Sequence, residues 1–316
     1  MDYPKSVPGV GLVNGRFVDE DTATGIQGSL IPAAWGNAVT TELLTVIESS
    51  GQRPSENDTT QLVNAIHRIS ARQAGHGQCR ISVVSPSVLR LLPFNGNSLI
   101  IHGVPQKIPV AGVSLSSAGL SPDTGYYIYA YMQGEGMALE CTTTGHTVDV
   151  QGVQVRLDRQ DRTLVGWTKT STSSTFSVDT GAAIWTMNWF NKRQKSIVAS
   201  SSADISFTNK VMSELSSTLR AIAPAWAGEF CTSSINGIFF NGLTGGGVNI
   251  QLYSGGLPQG TRMSSNLTAE VYCPFNTQTF IAARTDGLID CQLYGFVGSG
   301  VGRVAVGVQL LITSWV

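Results

Sequence analysis

Residues Tyr126–Met132 read YYIYAYM. Aromatic or apolar side chains fall on both faces of this stretch, as in a strand covered on both sides. Outward from it the chain keeps a period of two. RISVVS, VLRLLPF, SLIIHG and QKIPVAGVSL precede it; MALECTTT, VQVRL and TLVGWTKT follow, all broken by Pro, Gly and Asn. The aromatic-dense AIWTMNWFNKRQ (Ala183–Gln194) closes this middle unit. After a Ser-rich break at Ser200–Ser202 come ADISF, SSTLRAI, NGIFF, VNIQLY, LTAEVY, TFIAA, GLIDCQLYGF and GRVAVGVQLLITSW. Short strands at this spacing with Gly-rich turns predict a β-sandwich, jelly-roll-like.

One stretch breaks the pattern. Val39, Leu43, Val46 and Ile47 lie at i, i+4, i+7 and i+8 on one face of a 3.6-residue helix, and Gly51 ends it. Ser55 with Asp58 three residues on resembles a capping-box start for a second helix, whose stripe is Leu62, Val63, Ile66 and Ile69. Two helices of about 12 residues are marginal alone in water. Their stripes therefore call for a partner, either copies of the chain or another protein. The expected fold is mainly β with a short N-terminal helical hairpin and a C-terminal β-sandwich. Its parts are residues 1–75, 79–195 and 200–316. The first 27 residues, rich in Pro, Gly and acidic side chains, are expected to be extended and held by neighbours.

Composition narrows the function. Charged residues make up 13% of the 316, and the net charge is −1. That gives no electrostatic footprint for nucleic acid or an anionic membrane. Low charge with much Ser, Thr and Gly suits a β protein partly hidden by its own copies. No apolar run reaches the 18 or so residues of a membrane span, and MDYPKSVPGVGL lacks a signal peptide's pattern, so production in a cytoplasm is expected. Cys79, Cys141, Cys231, Cys273 and Cys291 are scattered with no CxxC spacing, which predicts reduced, mostly buried thiols.

DYPKSVPGVGLVNGRFVDED, GSLIPAAWGNAVTTELLTVI and PSENDTTQLVNAI together resemble the N-terminal region of tail-fibre and tail-tip proteins of tailed bacteriophages. RLLPFNGNSLIIHG, GLSPDTGYYIYAYM, LECTTTGHTVD, RTLVGWT and NWFNKR are similar to blocks of the β domain that often follows there. The resemblance covers about residues 1–195. It implies a virion protein, a homotrimer, attached through its N-terminus to other tail or baseplate proteins. Trp35, Leu43, Val46, Ile47, Leu62 and Ile66 are the expected attachment residues. Trp35 has two open readings, a docking anchor or a cover for its own helix pair. The remaining 120 or so residues match no such block and are the candidate tip for a host surface polysaccharide or protein receptor.

The sites of enzymes are sparse. His67, His76, His102 and His146 are far apart, and none forms an HxH or HExxH pattern, so no metal or cofactor is expected. His146 is expected to serve a tight turn. A polysaccharide-degrading spike would need two carboxyl groups facing one bond. Beyond residue 196 there are Asp204, Glu214, Glu229, Glu270, Asp286 and Asp290. Asp286 and Asp290 are expected to flank a Thr-Asp-Gly hairpin loop. Neither GSGVG (Gly298–Gly302) nor NGLTGGGVN has the Lys and helix of a phosphate loop. Asn266-Leu267-Thr268 fits a glycosylation sequon, with no consequence unless the chain is secreted.

If successive turns alternate between two ends, Asn241–Gly247, Cys273–Thr277 and Gly298–Gly302 share one end. Ser254–Ser264 and Arg284–Gly287 share the other. The second end offers Tyr253, Arg262, Arg284 and Asp286, suited to stacking on a sugar or pairing with a charged loop. These four are the expected receptor-binding residues. A structural tail component without host contact is the rival expectation.

Overall fold

A computed structural model describes residues 3–25, 27–73, 75–265 and 269–316, with the main chain alone for 71–73. The Asn266-Leu267-Thr268 sequon lies outside the described residues. The chain divides into two compact units, residues 1–74 with 103–105, and residues 75–102 with 106–316.

In the first unit the hairpin forms as α1 (Ala33–Ser49) and α2 (Gln61–Gln73). Gly51, at φ +82°, takes the left-handed turn that ends α1, and its N–H bonds Glu48 O at 2.8 Å. The start of α2 differs from the capping box that Ser55 and Asp58 suggest. Asp58 instead accepts from Thr60 N (2.9 Å) and Thr60 Oγ1 (2.7 Å) in a local turn, and the helix begins at Gln61. The buried Gln61 side chain bonds Arg53 O and Ser55 N, both at 2.7 Å, and so fixes the interhelical loop. The leader is not merely extended. Val10 is buried, Leu30 N bonds Val10 O, and the Phe17 ring meets Tyr3 and Trp35 edge-to-face.

The second unit is built of antiparallel sheets. Gly125–Gln133 lies between Gly136–Thr142 and Arg159–Lys169 in a six-stranded sheet. Its two faces serve two cores. Ile128 and Ala130 pack with Cys79, Leu89, Leu91 and Leu99, while Tyr129 joins Leu164, Trp167 and Met187 in the other core. That explains why both faces of YYIYAYM are apolar. Gly166 has no room for a side chain, since a Cβ would stand 2.3 Å from Ile81 Cδ1 and 2.6 Å from Met187 O.

Two further sheets enclose the C-terminal core as a sandwich. One holds Gln194–Ser200, Gln309–Trp315, Phe230–Asn241, Gly302–Val304 and Ile205–Phe207, with Cys273–Ala282 on the far side of Phe230–Asn241. The other holds Ser213–Glu214, Gly287–Val297, Val248–Ser254 and Leu257–Ser265, with Arg220–Ala225 also pairing on Gly287–Val297. Period-two alternation drives the burial: Ile289, Cys291, Leu293 and Val297 point inward, while Asp290, Gln292, Tyr294 and Phe296 point outward. The core that contains Tyr129 and Trp167 continues through Ile235, Leu252, Leu293 and Ile312. The stretches 79–195 and 200–316 therefore share side-chain packing, and Gln194–Ser200 pairs along its length with Gln309–Trp315. Cys79, Cys231 and Cys291 are buried, and all five cysteines are free.

Two expected turns are strands. Cys273–Thr277 begins the strand Cys273–Ala282, and Leu257–Ser265 is a strand, which leaves Gly255 and Gly256 as the turn. Both are edge strands, where Pro258 and Pro274 need donate no ladder hydrogen bond. Of the strand expected at LTAEVY, the first two residues lie outside the described residues, and residues 269–272 are turn and loop ahead of the strand that begins at Cys273.

Candidate functional site

The structure does not gather the four expected receptor residues. Asp286 lies inside a junction. Its Oδ2 accepts from Tyr127 OH (2.8 Å) and His146 Nε2 (3.1 Å), and its Oδ1 accepts from Ala227 N (2.8 Å). His146 Nδ1 meets Gln154 Oε1 at 2.6 Å. Two acceptors on one imidazole are matched when both ring nitrogens carry protons. Accordingly the bond to Asp286 raises the His146 pKa, against the opposing effect of burial and with help from Gln154. Burial pushes the Asp286 carboxyl up, but the bonds from His146, Ala227 N–H and Tyr127 outweigh it, and the net shift is downward. Trp189 and Trp226 pack on the His146 ring, and Trp226 Nε1 donates to Asn188 O. Asp286 is thus a fastener rather than a surface group, and His146 serves this junction rather than a turn alone. Sequence gives no local signal for it, since the partners are 140 and 159 residues apart.

Arg284 is exposed at the same turn. Tyr253 and Arg262 lie elsewhere, on the outer face of the five-stranded sheet. There Tyr253 stacks on Tyr294, with centroids 4.0 Å apart and an interplanar angle of 12°. Arg262 reaches over the Phe296 ring at 6.0 Å. Gln251, Gln292 and Asn249 share this face by strand alternation. Beside them Arg220 bridges Glu214 (2.9 Å) and Asp290 (2.6 Å). Asp290 is not at the hairpin loop: it sits within the strand, opposite Ile222. Burial raises its pKa against the pull of Arg220. The Arg220 guanidinium thus lies between the Glu214 and Asp290 carboxylates and pairs with both.

The opposite sheet carries a face that sequence reading missed. Register aligns Ser196, Thr313, Thr232 and Phe280 in one row, Val198, Leu311, Ser234 and Gln278 in the next, and Ser200, Gln309, Asn236 and Asn276 in a third. None is charged. Phe280 is 71% exposed, Phe230 63% and Trp315 51%. The Lys192–Glu229 ion pair stands beside Phe230 and Trp315. Low charge with enriched aromatics is the composition found at the centres of protein–protein contacts in general.

In the helical unit, Leu43, Leu62 and Ile66 are exposed, Ile66 by 50%. Val46 and Trp35 are half-buried, and Ile47 is buried. Phe17 of the leader covers one edge of Trp35, with centroids 5.1 Å apart. No helix among the described residues is long and apolar enough to cross a membrane.

No protein-family model matches the chain, and no curated protein sequence matches it. Among solved structures it is similar to that of infectious bursal disease virus strain Gx, at 12% identity over 75% of this chain and 70% of that one, with a TM-score of 0.28. The T13 particle of the same virus gives 12% identity, coverages of 75% and 67%, and a TM-score of 0.30. The EclA C-terminal domain, a sugar-binding protein, gives 13% identity, coverages of 43% and 81%, and a TM-score of 0.22.

Proposed function

We propose that the chain is a structural virion protein of a phage tail, docked through its helical hairpin and touching the host through its C-terminal sandwich. The observation that carries this reading is the exposure of Leu43, Leu62 and Ile66 on two short helices. Helices of this length in proteins draw most of their stability from packing, and these leave much of their apolar surface uncovered. The resemblance of the leader and hairpin to tail-attachment regions supplies the partner: another tail or baseplate protein. The uncharged face around Ser234 and Phe280 suits association of copies, and a homotrimer follows from the same resemblance. The Tyr253–Tyr294 pair, with the amides of Gln251 and Gln292 beside it, offers a stacking platform and hydrogen bonds to a saccharide or protein receptor. No catalytic step is assigned.

Deleting residues 1–70 tests the attachment. The remaining chain holds both hydrophobic cores, so it should fold yet fail to join the tail. Virions that retain the truncated protein at normal occupancy overturn the reading. A component without host contact is the second reading, favoured by the uncharged face, which could be wholly spent on neighbouring tail subunits. Competition decides between them: purified protein that blocks virion adsorption, and loses this on Tyr253→Ala with Arg262→Ala, supports host contact. Protein that leaves adsorption unchanged supports the second reading.

A further inference from the structure

A cleft of about 380 Å3 opens between the strand Cys79–Ser85 with Phe94 on one side and Asp179, Arg193 and Lys195 on the other. Its cations are not equally free. Lys195 Nζ pairs with Asp179 Oδ2 at 2.7 Å, and Asp179 Oδ1 also accepts from Trp185 N at 3.0 Å. Arg80 and Arg193 form no ion pair within 4.0 Å among the described residues. The cleft therefore holds two guanidinium groups outside any ion pair within 4.0 Å, with Val316, whose O accepts from Arg193 N, also in its lining.

Arg80 is held in place. Its Nε donates to Asn191 O at 2.8 Å, and its guanidinium carbon lies 3.6 Å from the Phe94 ring centroid. Stacking and one anchored nitrogen leave both terminal nitrogens for a ligand, the fork that takes an oxyanion through two bonds. Arg193 is exposed at the rim, its main chain tied to Val316 by bonds of 2.8 and 2.9 Å. Apolar wall from Val83, Leu92 and Pro93 adjoins the exposed Ser82, while the Thr186 hydroxyl beside it is bonded to Thr168 Oγ1 at 2.8 Å. Volume, cation pair and mixed walls together fit a small hydroxylated ring that carries one anionic group.

We propose that this cleft binds an acidic monosaccharide unit, its carboxylate or phosphate held between Arg80 and Arg193. The site is separate from the Tyr253 face and stands or falls apart from host contact there. Calorimetric titration of the full chain with glucuronate, glucose 6-phosphate and glucose tests it and distinguishes the two anionic groups. Glucuronate, glucose 6-phosphate or both should bind, glucose should not, and affinity should fall as salt rises. Arg193→Gln should weaken binding about tenfold or more, as loss of a charge-assisted bond does. Arg80→Gln should do the same at an unchanged melting temperature. Because Arg193 is exposed, its variant reads the site even if Arg80→Gln impairs folding. Absence of binding by both acidic probes at millimolar concentration overturns the proposal. So does equal affinity for glucose, or unchanged affinity in Arg193→Gln.

Discussion

Replacing Asp286 by Ala should destabilise the protein by about 3 kcal/mol, from the three donors it leaves without an acceptor. Tyr127 OH, His146 Nε2 and Ala227 N converge on this carboxylate within 2.8–3.1 Å. A donor left unsatisfied in the interior costs about 1–3 kcal/mol. The Asp286 side chain retains 12% exposure and that of His146 18%, so water reaches the vacated space and the lower end of the range applies to each. For a unit of this size, about 3 kcal/mol corresponds to a melting temperature lower by about 6–12 °C.

The same junction sets a pH dependence. The folded pKa of His146 lies above 6.5, so its contribution is complete below pH 6.5 and is lost as pH rises through the folded value. The folded pKa of Asp286 lies below 3.8, so its contribution is complete above pH 3.8 and is lost as pH falls through the folded value. The junction is strongest between those two limits. Asp286→Asn keeps the shape and removes the charge, and should flatten the loss of stability above pH 6.5. Urea unfolding across the pH range, with the His146 ring titration followed by NMR, reads both effects. An Asp286→Ala melting temperature within about 2 °C of the parent, or an undiminished alkaline slope in Asp286→Asn, refutes the reasoning.

Two further outcomes follow from the packing. Tyr129 is fully buried and its hydroxyl donates to Thr144 O at 3.0 Å; Tyr129→Ala should cost about 3–5 kcal/mol in urea unfolding, and a loss under about 1 kcal/mol contradicts the two-core placement of its strand. Light scattering should give three chains for the parent protein and fewer for Ser234→Glu, which sets a lone charge in the uncharged face; a parent that is monomeric, or a variant that stays trimeric, removes that face from the assembly.

What sequence revealed and what it hid divide along the range of the interaction. The helical stripes, the two-faced YYIYAYM strand and the alternation in GLIDCQLYGF are local, and each emerges as expected. Leu257–Ser265 hid because LPQGTRMSS has Pro, Gly and no clean alternation; its pairing with Val248–Ser254 makes it a strand. The four expected receptor residues do not form one group for the same reason. Their grouping assumed that the stretches after Tyr253 and before Asp286 were both turns, yet Arg262 lies in a strand and Asp286 is taken by residues from another sheet. The uncharged face is a middle case. Every other residue of four strands lacks charge, which the letters already contain. The pattern becomes visible only when register sets Ser196, Thr313, Thr232 and Phe280 side by side. In an antiparallel sandwich a surface is composed across strands far apart in sequence, so a site drawn from neighbouring turns samples the wrong dimension. That is why the hairpin, whose exposed stripe is local, is the proposed docking element a sequence of this kind discloses best.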